Sequence, residues 1–304
     1  MSLVVTGTVA FDAIETPFGK TDKIVGGAAT YACLAASYFY KNVKMVGVVG
    51  DDFPKEDIQS FQNHGISTEG LQVKAGEKSF FWSGKYHNDM NSRDTLVTDL
   101  NVLADFDPIL PESYQDCEFL LLGNLSPQVQ QTTIKRLKNR PKLIVLDTMN
   151  FWMDIALDEL LATLKLVDVL TINDAEARQL SGEYSLVKAA EKILKMGPSY
   201  LIIKKGEHGA LLFHENQIFS APALPLAEVF DPTGAGDTFA GGFIGYLAQV
   251  DTINFNNMKN AIIYGSALAS FCVEKFGTER IKNLSEAEIS ARVKEFVSLS
   301  SFTI

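Results

Sequence analysis

The stretch "VFDPTGAGDTFAGGF", residues 229 to 243, places three small residues, Gly234, Ala235 and Gly236, directly before an acid, Asp237. "DPTG" has the chemistry of a turn and "DTFAGGFIGYLAQ" reads as a helix, so the small residues fall where a turn becomes a helix N-terminus. Backbone N–H groups are unpaired there. With little side chain in the way, those donors and the positive end of the helix dipole can converge on an anion such as a phosphate. A carboxylate beside an anion site costs electrostatic energy, which phosphoryl transfer would justify. Donors fixed at the helix start stabilise the charge spread over the moving phosphoryl. An acid of ordinary pKa ~4 cannot ionise an alcohol beforehand, so Asp237 would orient the acceptor hydroxyl and take its proton late. The alternative is a glycine turn in which Asp237 merely caps the helix.

Several other chemistries drop out. No G-x-x-x-x-G-K-[ST] run occurs, and "GAGDTF" carries Phe239 where a dinucleotide fingerprint needs its third glycine. His64, His87, His208 and His214 lack zinc-ligand spacing, and no G-x-S-x-G elbow is present. Cys33, Cys117 and Cys272 are odd in number and far apart, which argues against a disulfide framework and fits a reduced, cytoplasmic setting. A formal net charge of −10 opposes nucleic-acid binding, so an anionic ligand must be held locally. The N-terminus lacks a basic export signal and no apolar run approaches ~18 residues, so neither secretion nor a membrane partner is expected.

The elements that must position the turn alternate. "SLVVTG", "VKMVGVVG", "CEFLLLG", "KLIVLD", "VDVLTIN" and "SYLIIKKG" read as strands buried on both faces. Segments 27–40, 54–64, 126–138 and 185–196 have helical spacing, and the rhythm predicts a three-layer α/β/α doubly wound, mostly parallel sheet. After it come a hairpin from about 210, apolar helices near 236–249 and 257–275, and an amphipathic helix near 285–298. Residues 12–25 and 70–100 lack a helical period and read as short strands forming a small β-sheet lid, within a single domain over 1–304. A lid edge could pair with a second subunit, giving a homodimer.

"DPTGAGDTFAGGF" resembles the C-terminal signature of the ribokinase-like (PfkB) carbohydrate and nucleoside kinase family. Further landmarks follow in family order: "VTGTVAFD" resembles the opening strand, "VGGAA" the N-terminal glycine pair, "VGVVGDDF" a G-x-V-G-x-D segment, "TINDAEARQLSG" the N-x-x-E motif, and "IIKKGEHGALLF" the strand and turn beside the nucleotide. The resemblance implies ATP with Mg2+, Asp237 as catalytic base, and Gly234, Ala235 and Gly236 as anion hole. It assigns Asp12, Gly26 and Gly27 to the acceptor. Asn173, Lys205, Gly206, Gly209 and Gly277 fall to the nucleotide, and Glu176 to Mg2+ through water. Asp231 and Thr233 lie where some members hold a monovalent cation such as K+. Without the resemblance, "NDAE" is an ordinary helix start with Asn173 as N-cap and Glu176 at N3, and Asp12 a strand-end turn residue.

Two departures bear on the acceptor. Tyr31 stands where many members have a sugar-contacting Asn, and it reads either as a substrate contact or as helix packing. "DTMNFW" replaces the D-x-N of several sugar-acid kinases and lacks an Arg, which disfavours an acidic acceptor. Lys20, Lys23, Lys85 and Arg93 in the lid segments read as solvated charges or as phosphate ligands. Phe11, Phe80, Phe81, Trp82, Tyr86, Phe151 and Trp152 gather near the expected acceptor pocket, with Phe11 and Trp82 as candidates to stack on a flat base. The expected function is ATP-dependent phosphotransfer to a primary hydroxyl of a small neutral acceptor, sugar or nucleoside. A nucleoside kinase of adenosine or inosine/guanosine type is the narrower alternative. A non-catalytic sugar or nucleotide sensor is the alternative of another class, and the acid beside the phosphate site argues against it.

Overall fold

The short Val-, Ile- and Leu-rich runs form strands because alternate side chains can be buried on opposite faces at once. Residues 2–301 and 303 are described in a computed structural model. Their strands are β1 (Leu3–Thr6), β2 (Ala10–Thr16), β3 (Gly19–Lys20), β4 (Ile24–Gly26), β5 (Val43–Gly50), β6 (Ile66–Lys74), β7 (Phe80–Tyr86) and β8 (Arg93–Asp99). There follow β9 (Phe119–Leu122), β10 (Leu143–Asp147), β11 (Val169–Asn173), β12 (Tyr200–Lys204), β13 (Ala210–His214) and β14 (Gln217–Ala221). The large sheet has nine strands in the order β14-β13-β12-β11-β10-β9-β1-β5-β6. It is parallel from β12 to β6, and β13 and β14 close it as the antiparallel hairpin expected from residue 210.

Leu3, Val5, Leu143 and Val145 face one core with the helices Ala28–Ser37, Lys55–Asn63, Ala235–Val250 and Phe255–Cys272. Val4, Ile144 and Leu146 face the other, with Leu157–Leu164, Asp174–Ser181 and Leu186–Leu194. Each fully buried Val or Leu contributes about 1.5–3 kcal/mol relative to exposure, so register is strongly fixed on both faces. This is the three-layer architecture that the alternation predicts.

Helix Ala235–Val250 runs beside helix Ala28–Ser37 in the same direction, backbone against backbone. A Cβ at Gly241 would stand 2.2 Å from the Ala32 carbonyl oxygen, and one at Gly245 would stand 2.8 Å from the Ala36 Cα. The stripe of small residues in "AGGFIG" therefore brings two helix N-termini to the same end of the sheet.

The small sheet is a separate five-stranded unit with the path β3-β2-β7-β8 and β4 on β2. Its extent corrects the expected boundaries. Residues 66–74 form β6, the edge of the large sheet paired with β5, and β2 begins at Ala10. The polar alternation of "ISTEGLQVK" is that of a half-covered edge strand, which reads much like a lid strand. Of the described residues, no helix is long and apolar enough to cross a membrane.

Candidate active site

The chain leaves β1 toward β5 on one side and leaves β9 toward β10 on the other, so a crevice opens at the carboxyl ends of these strands. The 231–237 turn lies over it. Asp231, 1% exposed, accepts from the N–H groups of Thr233 at 2.8 Å and Gly277 at 2.9 Å, which ties the turn to the loop after helix Phe255–Cys272. Gly234 is the N-cap, with φ 75°, and a Cβ there would lie 2.5 Å from the Tyr31 ring. Left-handed backbone and close approach both require glycine here. Gly236 is helical, so the small residue at that position serves a different end: a Cβ would meet the Lys204 Nζ at 3.0 Å. Ala235 donates its N–H back to Pro232 O at 3.2 Å, so this member of the expected donor set is already engaged.

Asp12 on β2 is 5% exposed and held by the Gly27 N–H. Gly26 makes this seat possible, since a Cβ there would sit 1.8 Å from the Asp12 Oδ2. Burial, with Asp231 and Asp237 nearby, pushes the Asp12 carboxyl up to about 8. Asp237 is likewise raised by burial and by Asp147, against the opposing pull of Lys204 and Arg93. The glycine pair and the terminal acid of the two motifs therefore meet in one buried, acidic pocket.

Asn173 and Glu176 form a full capping box: the Asn173 N–H donates to Glu176 Oε2 and the Glu176 N–H to Asn173 Oδ1, each at 2.8 Å. The helix-start reading is thus realised. It does not exhaust Glu176, whose buried carboxyl is raised to about 7, chiefly by desolvation. Beside it, Lys204 at the end of β12 pairs with Asp147 at the end of β10 at 2.9 Å, and Thr171 donates to the same Asp147 oxygen at 2.8 Å. Sequence reasoning missed Lys204 and Asp147; the available signal was a charge ending each of two apolar strands. Lys205 donates its N–H to Gly209 O at 2.8 Å, closing the tight turn through Gly206 and Gly209. Asn91, in the loop joining β7 to β8, overhangs that turn, with its Oδ1 2.6 Å from where a Gly206 Cβ would stand. Gly277 lies apart from this turn, against Asp231 and Ile24.

One face of the small sheet covers the pocket. Asp12 is the register partner of Trp82, so both point to the same side, and the Trp82 ring lies across Gly84. Tyr86, two residues further along that face, accepts from the Thr233 hydroxyl at 3.2 Å. Its neighbour Arg93 acts on both Asp237 and Glu176.

One sequence expectation needs correction, and two readings left open there fall on the bland side. Phe11 pairs with Phe81 on the opposite face and packs on Phe53, with ring centroids 5.2 Å apart, so it does not share the Asp12 pocket. Tyr31 is 1% exposed beneath the Gly234 turn, which is the packing reading. Lys20 and Lys85 pair with Glu15, and Lys23 with Asp52, which leaves Arg93 as the lid cation facing the acids. Trp152 donates to Asn124 Oδ1 at 2.9 Å, off the end of β9. Cavities of about 400 Å³ (around Glu15, Tyr86 and Asp94) and about 310 Å³ (around Ala13, Phe81 and Asp99) flank the small sheet. Neither is lined by Asp237.

A three-layer core, a covering small sheet and a buried acid at a glycine-started helix together define a phosphotransferase of the ribokinase-like fold. The pfkB family carbohydrate kinase model matches residues 2–284, and the chain belongs to this family. It is 31% identical over 250 residues to the cytidine kinase of Thermococcus kodakarensis, covering 80% of this chain and 87% of that one. It is 27% identical over 303 residues to the ribokinase of Lactococcus lactis, covering 97% and 94%. The aminoimidazole riboside kinase of Salmonella enterica, solved with aminoimidazole riboside and an ATP analogue, superposes with a TM-score of 0.75 at 21% identity, over 96% and 100% of the two chains. The protein is a sugar or nucleoside kinase.

Proposed function

We propose that the protein transfers the γ-phosphoryl group of ATP to the primary hydroxyl of a nucleoside. The observation that carries this reading is the register pair Asp12–Trp82 on the face above Asp237. Once it gives up its proton as the acceptor binds, the Asp12 carboxyl can accept from both hydroxyls of a ribose, and an indole beside it offers a face to the base. The relative named cytidine kinase supports the same acceptor class. Asp237 receives the hydroxyl proton, and the N–H groups that follow Ala235 at the start of helix Ala235–Val250 face the phosphoryl oxygens.

The residues fit Mg2+ in the way that ion is usually bound. Of the described residues, no three acids, histidines or cysteines converge as a ligand cage. One carboxylate, Glu176, working through retained water, suffices. Bound there, the ion would neutralise phosphate charge. Asp231 and Thr233 already hold each other and Gly277, so a monovalent cation would share oxygens that accept backbone N–H bonds. The small sheet acts as the lid. Its outer strand β8 exposes Leu96 and Val97 along an open edge, which a second copy of the chain would cover.

The test is a panel of nucleosides and free sugars with ATP and Mg2+, read by ADP formation, for the wild type and Trp82→Ala. Losing a stacked ring forfeits on the order of 1–3 kcal/mol, so nucleoside kcat/KM should fall roughly tenfold to a hundredfold while that of ribose stays near its already lower value. If ribose is the best acceptor, or Trp82→Ala slows all acceptors alike, Trp82 is lid packing and the protein is a sugar kinase.

A further inference from the structure

We propose that Lys204 is a catalytic residue whose ammonium contacts the phosphoryl group in flight, with Asp147 as its resting partner; this rests on the phosphotransfer reading above. Asp147, Glu176 and Asp237 favour its charge, yet the ammonium also stands against a helix start. Lys204 ends β12 with its Nζ where a Cβ on Gly236 would be 3.0 Å away, that is, against the N-terminus of helix Ala235–Val250. A helix N-terminus carries partial positive charge and disfavours a cation. Burying an ammonium there makes sense when an anion is to arrive between the two.

The hydrogen bonding points the same way. The described partner of Lys204 Nζ is Asp147 Oδ1 at 2.9 Å, an oxygen that also accepts from Thr171. An ammonium has three donors, and one such bond leaves donor capacity facing the pocket. Glu176 and Asp237 both feel its charge, so the ammonium lies within electrostatic reach of the candidate magnesium acid and of the candidate base.

In the transfer, the bond from the γ-phosphorus to the β,γ-bridging oxygen breaks, and ADP leaves with that electron pair. The acceptor oxygen forms the new bond to phosphorus and its proton passes to an Asp237 oxygen. Lys204 keeps all its protons and offers one to an equatorial phosphoryl oxygen, where charge grows at the transition state.

Lys204→Met should lower kcat by about 10²–10³-fold, the size expected for one oriented donor to a transition state, with little change in acceptor or ATP KM. Because that variant buries Asp147 unpaired, the double variant Lys204→Met/Asp147→Asn is made alongside it; the paired deletion removes the burial penalty and preserves the fold. The double variant should stay as slow as the single one. Recovery of its rate to within about tenfold of wild type would mean that Lys204 merely neutralises Asp147, and the proposal is overturned. Binding of MgADP with aluminium fluoride, a mimic of the moving phosphoryl, reads the same contact without any acceptor. Lys204→Met should weaken that complex at least about tenfold while MgADP alone changes little. Equal trapping by wild type and variant overturns the proposal. If no nucleoside in the panel is phosphorylated, the acceptor reading fails, and the aluminium fluoride measurement still decides the role of Lys204.

Discussion

Replacing Asp12 by asparagine should make the ligand-free protein more stable while crippling acceptor binding. The carboxyl is 5% exposed, close to Asp231 and Asp237, and is raised from 3.8 to about 8. In the folded state it therefore keeps a proton that the unfolded chain gives up near pH ~4. Stability linked to this group is fully present below that pH and is lost as pH rises toward about 8. A rise of that size corresponds to a ceiling of ~5–6 kcal/mol. Relaxation and water entry reduce such penalties in real interiors, and we expect ~2 kcal/mol near pH 8. Asparagine is nearly isosteric, can still accept the Gly27 N–H, and carries no proton linkage. With an unfolding entropy of ~0.6 kcal/mol/K for a chain of this size, the variant should melt about 3 °C higher near pH 8, with a smaller gap near pH 5. Thermal midpoints of both proteins across that range, with acceptor KM measured in parallel, provide the assay. A gap that does not change with pH, or a wild type more stable than the variant near pH 8, refutes the account of Asp12 as a strained, buried acid.

Asp237→Asn should keep the fold and lose turnover by roughly 10²–10⁴-fold; in the wild type, kcat should rise with pH through a pKa above the ordinary carboxylate range, because the base must be ionised and its carboxyl is raised. Near-normal turnover of the variant would leave Asp237 as a helix cap alone. Gly234→Ala should cost about 1–3 kcal/mol of stability from its left-handed backbone, with more from the Tyr31 ring, as read by denaturant midpoint. An unchanged midpoint would show that the turn relaxes freely. Tyr86→Phe removes the oxygen that joins the small sheet to Thr233 and should raise acceptor KM by about threefold to tenfold with kcat less affected; an unchanged KM would remove that bond from lid closure.

Strands β1, β5 and β9 to β12 were legible because each is a mostly apolar run, which burial on two faces demands. Strand β6 was not: its outer side is open, so its polar residues resemble those of the lid. Helix Leu157–Leu164 also escaped, since "LDELLATL" follows directly on the short helix Asn150–Ile155 and no breaker separates them. At the site, Asp237 could be read because it sits in a glycine-rich turn with a physical meaning, whereas Asp12 came from the family resemblance alone. Lys204 and Asp147 could not, because a charge at the end of a strand is also how strands ordinarily stop. Phe11 was misassigned although the period of two places it on the opposite face from Asp12; nearness in sequence outweighed parity.

The close crossing of helices Ala28–Ser37 and Ala235–Val250 turns the site into a ruler. The Asp12 seat stands at the start of the first helix and Asp237 at the start of the second, and their spacing is set by main-chain contact at Gly241 and Gly245. No side chain can be trimmed or lengthened to alter that interval. On the proposed roles of Asp12 and Asp237, the span from an acceptor's paired hydroxyls to the hydroxyl being phosphorylated would therefore be gauged by the core itself. On the proposed reading, what lies beyond the hydroxyl pair would be met by Trp82 and its neighbours on the small sheet, which can vary without recalibrating the chemistry. Selection for a new acceptor then has one dimension closed to it and another open: the length of the polyol portion is dictated, and the shape of whatever is attached to it is negotiable.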